Sequence, residues 1–548
     1  MLENIDLSGI HEENARQLIA ELLNLIEKLS VDLRDLQIEN QRLRDEINRS
    51  KGEQGQPNIK PNTSPVMANH SSEKERHRQK RHQKSSKKAD LKISREKVIE
   101  VDPSLLPADA QFKGYEEVIV QDLCLGTDNI CFRKQKFYSA SERKTYLAKL
   151  PCGYEGQYGP GVKSLVLTLY NGGYMSEPKI LEFLKNVGVQ ISDGELSNLL
   201  IKKQDVFHAE KEAVYEAGLR SSPYQHVDDT QTRVNGQNQH CHVVCNPVYS
   251  AYHTRPTKER LAVLDVLRNM RERTFRFNRE ALGYLDNVNL SQATRQILQS
   301  WVSDDDLNEA TFIMRLDKAL PKLSQPHRKV ILDAAAIAAY HAETDFPVID
   351  LLLCDDAPQF KGLTRSLMLC WIHEGRPYKK LLPVVSCHRD ILNDFLKRFW
   401  NYYDQLLTYR QSPSAAEHQR LSAEFDTLFS TQTGYAELDK RIAKTLSKKT
   451  NLLLVLKYPE LLLHNNSAEL AARQRVRKRD VSFGPRTSEG VRAWDTFMTL
   501  TETTKKLGVN FYEYIQDRVR QTNQIPSLAS LVQKNAQELK LGQSWAVA

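Results

Sequence analysis

The sequence predicts an α/β fold built from one small sheet and many helices. Two observations predict the sheet: three strand-like segments lie between residues 224 and 254, and an apolar strand follows at 348–354. The first two segments are joined by Asn235-Gly236, which is a strong hairpin signal between β-type segments. A third observation predicts the helices, because helical patterning fills most of the remaining chain, and several of these segments have a Ser cap or a Gly stop.

Length and composition limit the classes of protein that fit. The chain has 548 residues, too many for one ordinary core, which predicts three or four structural units. It contains no run of eighteen apolar residues and no signal-peptide core, so no membrane partner is expected. The eight cysteines form no CxxC pair, as is typical of a reducing compartment. A net charge of +8 permits a polyanionic partner.

Residues 11–49 are predicted to form a coiled coil for dimerisation. Apolar residues are spaced alternately by three and four over about four heptads. Leu at every d position and one Asn at an a position favour a parallel two-stranded coil. An amphipathic helix that packs on its own chain is the alternative. The a positions are Ile19, Ile26, Leu33, Asn40 and Ile47, and the d positions are Leu22, Leu29, Leu36 and Leu43.

Two further units precede the predicted core. Residues 50–98 are predicted to be a basic flexible linker, rich in Gly, Pro, Asn and Ser in its first half. Its segment 74–88, KERHRQKRHQKSSKK, would bind DNA phosphates or serve only as a solvated linker. Residues 99–155 are predicted to be a small β-rich unit. Its cysteines are expected to be buried thiols rather than zinc ligands: Cys124, Cys131 and Cys152.

Residues 156–222 are predicted to be a helix-turn-helix-like DNA-binding region, with 189–204 as the candidate recognition helix. An ordinary three-helix packing fits equally well. The catalytic domain is predicted at 223–518, interrupted by two helical insertions. The insertions are expected at about 269–345 and 410–457, and a C-terminal tail at 519–548.

Three segments of the predicted domain contain carboxylates. Asp228 and Asp229 are neighbours in the first strand, and neighbours on a strand point to opposite faces, so one of the pair can reach a shared point. Asp355 and Asp356 directly follow the strand 348–354. This order of a three-strand meander, a helix and a strand that ends in acids is typical of a ribonuclease-H-like core.

The third acid, Glu469, lies in a later helix-like segment. Carboxylate oxygens suit Mg²⁺ or Mn²⁺, and two such ions can activate a water or hydroxyl for in-line attack on a phosphodiester. From the residues alone, the choice within each Asp pair stays open. A surface ion pair with Arg473 is the alternative role for Glu469, and a helix N-cap is the alternative for Asp356.

The segments HVDDTQTRVNG, LLLCDDAPQFKGLTRSLMLCWIHEGRPYKKL and LLLHNNSAELAARQRVRKRDVSFGPRTSEG resemble the three catalytic blocks of DDE transposases of the insertion sequence 66 family. The resemblance covers roughly residues 155–518. It implies a bacterial, nucleoid-associated enzyme that binds insertion-sequence ends and catalyses metal-dependent DNA strand cleavage and transfer. The implied partners are double-stranded DNA at transposon ends, target DNA, a homodimer or higher oligomer through the coiled coil, and possible helper proteins.

The resemblance also implies roles for individual residues. Asp228, Asp355 and Glu469 would be catalytic and would hold two Mg²⁺ or Mn²⁺ ions, and Asp229 stands where the family has Glu. Basic residues expected to contact DNA are Arg376, Arg473, Arg475, Arg477, Lys478 and Arg479. Supporting roles fall to Cys370, His373, Asn465 and Asn466. A catalytically inactive DNA-binding regulator, another ribonuclease-H-like nuclease and a structural coiled-coil protein are the alternative functions.

Overall fold

The structure, a computed structural model, describes residues 12–51, 93–106, 110–123, 125–154 and 156–546. The basic segment 74–88, most of the predicted linker and Cys124 lie outside the described residues. None of the described helices combines the length and the apolar character of a membrane span.

Helices dominate the described chain. In chain order, they are α1 Glu13–Ser50, α2 Pro160–Asn171, α3 Glu177–Asn186, α4 Asp193–Ile201, α5 Asp205–Arg220, α6 Arg260–Leu267, α7 Arg279–Tyr284, α8 Gln292–Gln299, α9 Glu309–Ala319, α10 Gln325–His341, α11 Trp371–Lys379, α12 Ser386–Gln411, α13 Ala415–Phe429, α14 Ala436–Leu446, α15 Lys449–Leu452, α16 Leu454–Lys457, α17 Asn466–Ser482, α18 Ser488–Leu507, α19 Phe511–Arg520 and α20 Leu528–Glu538.

The strands form one central sheet and two small hairpin-like pairs. They are β1 Lys136–Ser139, β2 Lys144–Leu147, β3 Tyr224–Val234, β4 Gln237–Asn246, β5 Tyr249–Arg255, β6 Thr274–Phe275, β7 Leu307–Asn308, β8 Leu351–Cys354 and β9 Ser366–Leu369. The central sheet has the order β5-β4-β3-β8-β9. β3, β4 and β5 are antiparallel, whereas β8 and β9 run parallel to β3. The predicted α/β class is therefore confirmed.

Local sequence explains the two strands that matter most. β3 and β4 are joined at Asn235 and Gly236, with φ values of 48° and 78°. A tight hairpin of this type needs positive φ at both central residues, and Asn and Gly adopt it at least cost. β8 is the uninterrupted apolar sequence LLLC and is fully buried, as expected for an inner parallel strand covered on both faces.

Helix α18 covers the edge strand β5 with a ladder of side chains. Asp495, Thr499 and Thr503 lie four residues apart on one helix face. Their oxygens accept the backbone N–H groups of Thr254, Tyr252 and Ser250 at 2.7, 3.1 and 3.3 Å, respectively. Four helical residues rise about 6 Å and two strand residues about 6.8 Å, so the two periods match. The free N–H groups of this edge are thereby satisfied without another strand.

The two segments that were predicted to be insertions are mainly helical. The first contains α7 to α10, and it also contains the short pair β6–β7, which the sequence did not predict. The second contains α13 to α16 and packs with α12 around Trp371. The indole of this residue is fully buried, and its Nε1 donates to the Leu452 carbonyl at 2.9 Å. This packing holds α11, which begins at Trp371, against the end of the sheet.

The region before the core has less regular structure than predicted. Within 99–155 the described regular structure is the hairpin β1–β2 and one short 3₁₀ turn at Pro103–Leu105. Cys131 and Cys152 are exposed, so the expectation of buried thiols is wrong for both. A hairpin of two four-residue strands has no second layer that could cover them.

The helices of the 156–222 region and of the C-terminal tail pack on the core. Tyr170 of α2 accepts a hydrogen bond from Trp494 of α18 at 2.9 Å. Leu528, which begins α20, donates its N–H to Glu210 of α5 at 2.8 Å. The residues 519–548 therefore contain a packed helix rather than only a loose extension.

Candidate functional site

Two of the predicted catalytic carboxylates lie side by side at one end of the central sheet. Parallel pairing aligns His226 of β3 with Leu353 of β8, and the same register continued by two residues places Asp228 level with Asp355. Neighbouring strands lie about 4.8 Å apart, and aligned residues point to the same face. The two acids therefore extend together from adjacent backbones.

The third predicted carboxylate comes from the first turn of α17. The negative charges of Asp355 and Glu469 both raise the pKa of Asp228, so all three acids lie within electrostatic reach of one another. The structure thus brings together the three residues that the sequence singled out. Their roles in catalysis and metal binding stay predictions.

Asn465 joins α17 to the strand that contains Asp228. Its side-chain amide donates to the Val227 carbonyl at 2.8 Å, and its Oδ1 lies 3.1 Å from Nδ1 of His226. Its backbone N–H donates to Sγ of Cys370 at 3.4 Å, just before α11. One buried residue therefore links β3, α11 and α17. The neighbouring Asn466, the first residue of α17, donates its N–H to Nδ1 of His464 at 3.3 Å.

The site has an unfavourable concentration of negative charge. Burial is the main cause that raises the pKa of Asp228 to about 7, and the charges of Asp355 and Glu469 add to it. Burial also raises the pKa of Asp355, against the hydrogen bond that its Oδ1 accepts from the Ala357 N–H at 3.1 Å. At neutral pH the protein therefore holds a proton or needs a cation here.

Two groups on α11 face Glu469. Arg376 Nη2 lies 3.2 Å from Glu469 Oε2, and His373 Nδ1 lies 3.3 Å from Glu469 Oε1 without hydrogen-bond geometry. Arg376 also contacts Nε2 of His373. Arg376, predicted to contact DNA, thus neutralises the third acid instead. The ion pair with Arg473 that was the alternative for Glu469 is not formed.

Two possible cation sites share Glu469. Ligand atoms of Cys370, His373 and Glu469 lie within 4.8 Å of one another, a set that suits zinc better than magnesium. However, burial raises the pKa of the Cys370 thiol to about 12, and its sulfur already accepts a hydrogen bond. The set Asp228, Asp355 and Glu469 consists only of carboxylates, whose oxygens are the type of ligand that Mg²⁺ prefers.

The second member of each Asp pair has a separate structural partner. Asp229 accepts a hydrogen bond from Nε2 of Gln359 at 2.5 Å. Asp356 forms ion pairs with Lys361 and Lys448, both at 2.7 Å. The helix N-cap that was the alternative role for Asp356 is not formed, because Ala357 is the capping residue of the short 3₁₀ turn Pro358–Phe360 and the Asp356 oxygens bind the two lysines.

Two exposed arginines of α17 lie on the same helix face as Glu469. Arg473 and Arg477 follow Glu469 at intervals of four residues, so the three lie on one helix face. Both arginines are exposed and make no ion pair among the described residues. Arg479 is partly buried, and its Nη1 donates to the Gln231 carbonyl at 2.6 Å. Arg473 and Arg477 therefore remain available for phosphate groups.

The structure corrects the prediction for two basic residues of α17. Arg475 and Lys478 are fully buried and cannot reach DNA. Arg475 pairs with Asp495 at 3.1 Å. Lys478 donates to the Tyr170 carbonyl at 2.9 Å and to Asn171 Oδ1 at 3.1 Å. Both side chains are held inside because they satisfy polar groups of the packed helices.

The first turn of the candidate recognition helix is acidic. The first turn of α4 contains Asp193 and Glu195, and two exposed lysines, Lys202 and Lys203, follow its C-terminal end. Acids at this end would repel phosphate groups. The helices of the region are confirmed, whereas its role in DNA binding stays a prediction.

Sequence reasoning missed several residues around the acids. A cavity of about 300 Å³ adjoins Asp355 and is lined in part by Glu374, Arg441 and Lys448. Glu374 is buried and pairs with both of these cations. Gln359 and Lys448 were also missed, although Gln359 follows Asp355 by four residues and was close enough in sequence to be considered.

Comparison with known proteins identifies a relative whose name states no activity. No family model matches the chain. The uncharacterized protein y4jO of Sinorhizobium fredii is 30% identical over 324 residues, which is 58% of this chain and 99% of that protein.

We expect Asp228→Asn to stabilise the metal-free protein. The pKa of Asp228 is higher in the folded protein than in the unfolded chain, so the folded state loses stability as the pH rises from about 4 to 7. The variant lacks this cost. Its free energy of unfolding in urea with EDTA should exceed that of the parent at pH 8 by up to about 4 kcal/mol, and by much less at pH 4.5.

Asp480→Asn is the matched control, because this side chain is 63% exposed and should change the unfolding free energy by under about 0.5 kcal/mol. Adding Mg²⁺ should then stabilise the parent but not Asp228→Asn. Equal free energies of unfolding for the parent and Asp228→Asn at pH 8 would show that the charged form of Asp228 is not disfavoured in the folded protein.

We expect Asn465→Ala to destabilise the fold by about 2–3 kcal/mol. The substitution leaves the buried Val227 carbonyl and His226 without their partner. Urea unfolding measures this change. Asn287→Ala, at an exposed loop asparagine, should be nearly neutral. A similar loss of stability in both variants would show that the hydrogen bonds of Asn465 do not stabilise the fold.

Proposed function

Because this chain belongs to the same family as the Sinorhizobium fredii protein y4jO, whose name states no activity, we propose its function from the acidic site. The protein is proposed to be a DDE-type DNA transposase with a ribonuclease-H-like core. It would bind insertion-sequence ends and catalyse metal-dependent strand cleavage and transfer.

One observation carries this proposal: carboxylates from β3, from the end of β8 and from α17 converge at one end of the sheet. Asp228 and Asp355 each lie two residues beyond His226 and Leu353, the last paired residues of the parallel strands β3 and β8. The charges of Asp355 and Glu469 both raise the pKa of Asp228. Mutually repelling acids cost stability, so their convergence is better explained by a bound cation than by packing.

The residues fit two divalent ions held by Asp228, Asp355 and Glu469. When bound, such ions supply a more acidic water and neutralise charge that develops on the phosphate. A water would attack the phosphodiester at the end of the element, releasing a 3′-OH. This hydroxyl would then attack a phosphodiester of target DNA and displace the 3′ oxygen of the target strand, without a covalent enzyme intermediate.

The other residues of the site would position the acids and the DNA. Asn465 fixes the start of α17, and thereby Glu469, relative to β3. Arg376 balances the charge of Glu469 in the metal-free protein and is half exposed, so it would be free to contact a phosphate after cation binding. Arg473 and Arg477 extend a basic line away from the acids along α17.

The proposed partners are double-stranded DNA at transposon ends and target DNA. The basic segment 74–88 would add phosphate contacts, and helper proteins would be compatible with this scheme. The described face of α17 offers two exposed arginines, which is a modest electrostatic footprint. The proposed nucleoid association would follow from this DNA binding.

The central test is strand cleavage by variants of the acids. Asp228→Ala and Glu469→Ala should abolish Mg²⁺-dependent cleavage of a labelled end-containing duplex, while mobility shifts show unchanged end binding. Asp229→Asn is the control, because this neighbour points to the opposite face and bonds to Gln359; it should retain cleavage.

Cleavage that survives in either acid variant would refute the assignment. A parent protein that binds ends without ever cutting them would instead support the inactive regulator. Cleavage directed at branched DNA rather than at element ends would support another ribonuclease-H-like nuclease.

The arginine line can be tested by salt dependence. Arg473→Ala and Arg477→Ala should each weaken DNA binding and reduce the slope of log K against log salt by about 0.9, the value for one lost phosphate contact. Fluorescence anisotropy measures both quantities. Lys534→Ala, at a residue of α20 that is 69% exposed, should leave the slope unchanged. If all three variants had the same slope as the parent, α17 would not contact DNA phosphates.

A further inference from the structure

Phe483 is the most exposed large apolar side chain among the residues that the structure describes. It directly follows the last residue of α17 and is 88% exposed. Its backbone has a φ of 58° and a ψ of 4°, in the left-handed region that glycine adopts at least cost and that bulky residues rarely adopt. The fold therefore accepts an unfavourable backbone conformation here without burying the ring.

The backbone around Phe483 is held by the hairpin of β3 and β4. The carbonyl of Pro485 accepts the N–H of Asn235, at the hairpin turn, at 3.1 Å. Between Phe483 and Pro485, Gly484 lies so close to the hairpin that a Cβ at this position would collide with the Arg233 carbonyl oxygen. The ring therefore projects into solvent from a loop whose backbone is fixed.

Arginines surround this part of the surface. Four exposed arginines lie on α17, after it or on the adjoining hairpin, and none forms an ion pair with another residue of the described chain. They are Arg233, Arg473, Arg477 and Arg486. Asp480, the acid nearest to Phe483 in sequence, is paired with Arg479 at 3.3 Å. Cations that bind phosphates beside an apolar ring that contacts bases are a common combination in nucleic-acid sites.

We propose that Phe483 inserts between two bases of the bound DNA and kinks the duplex beside the cut, a role that rests on the proposed DNA cleavage. Fourteen residues separate Glu469 from Phe483, which is roughly 21 Å of helix at 1.5 Å per residue. A duplex whose phosphates follow Arg473 and Arg477 along α17 meets the ring at this distance from the acids. An inserted apolar side chain partly unstacks one base step and kinks the duplex by about 20–90°.

This role accounts for both unusual features of Phe483. A ring that enters a base step has to be exposed in the free protein, and a fixed backbone reduces the entropy that is lost on binding. The tip of the adjoining hairpin also exposes three amide side chains, which can hydrogen-bond base edges: Asn235, Gln237 and Asn238. Phe483 is thus a positioning residue, because it contacts bases and no reacting atom.

Permanganate oxidation tests the insertion, because it modifies thymines that have lost their stacking. The probe is the labelled end-containing duplex of the cleavage test, kept in EDTA so that no metal-dependent cleavage occurs. The parent should make thymines reactive at one step, roughly 21 Å from the cut by the helix rise. Phe483→Ala should remove this reactivity, whereas Phe483→Tyr should retain it. Leu539→Ala, at a residue that is 57% exposed on the C-terminal tail, is the control and should behave as the parent.

Binding measurements distinguish the ring from the arginines. Phe483→Ala should weaken binding of the same duplex about tenfold, the value expected for one lost base contact. The slope of log K against log salt should stay that of the parent, because no phosphate contact is lost. A reduced slope in Phe483→Ala would contradict base insertion.

Thermal unfolding separates this role from a structural one. Phe483→Gly should unfold at a temperature close to that of the parent, since glycine adopts the left-handed conformation at little cost and an exposed ring contributes little burial. The same variant should leave all thymines unreactive. A clearly lower melting temperature would show that the ring supports the fold instead, and would overturn the proposal.

Cleavage of the same duplex in Mg²⁺ keeps this proposal distinct from the proposed function. A parent that cuts the duplex but leaves every thymine stacked would overturn the role of Phe483 alone. A parent that neither binds nor cuts would overturn both. Reactive thymines with a parent that never cuts would support the insertion and the inactive regulator. A lower oligomer mass in Phe483→Ala, with unchanged thymine reactivity, would show that the ring binds a second copy of the chain instead.

Discussion

The side chain of Asn465 is the constraint on which the site depends. Glu469 on a helix and Asp228 on a strand can lie side by side only if the start of the helix is held in a fixed position relative to the strand. A single amide does this by donating to the backbone of β3 while its own backbone bonds to the start of α11. Because the amide is buried, its hydrogen bonds have no water to compete with them.

The same region shows how the fold tolerates crowded acids. Asp229 and Asp356 bond to other partners, although the negative charges of both still raise the pKa of Asp355. Arg376 and His373 flank Glu469, and the pKa of Asp228 lies near 7 instead of its usual range. Two features therefore offset the charge of the acids: the raised pKa of Asp228, which favours a bound proton, and the ion pair between Arg376 and Glu469.

Much of this could be predicted from the sequence, because strand order and the placement of acids follow local patterns. The Asn-Gly hairpin and the LLLC strand needed only turn chemistry and apolar patterning, whereas the choice of Asp228, Asp355 and Glu469 needed the family resemblance. The burial of Arg475 and Lys478 was missed because a basic helix suggests a solvated face. A helical period was nevertheless visible, since Ala468, Ala471 and Ala472 lead into both residues on one face. The contact of the buried Glu27 of α1, which accepts the N–H of Val384 at 3.0 Å, gave no such signal because the two residues are 357 positions apart.

The buried lysine of α17 has a consequence for distance along DNA. The Nζ of Lys478 donates a hydrogen bond to the Tyr170 carbonyl at the end of α2 and lies 3.8 Å from the centre of the Tyr170 ring. This contact packs the helices of the 156–222 region against α17, the helix that contains Glu469. If those helices bind an element's end, the fold fixes their distance from the acidic site. It would then also fix the number of base pairs between the bound sequence and the cut. Variation in that spacing among natural elements would then have to be matched by changes in the packing between α2 and α17.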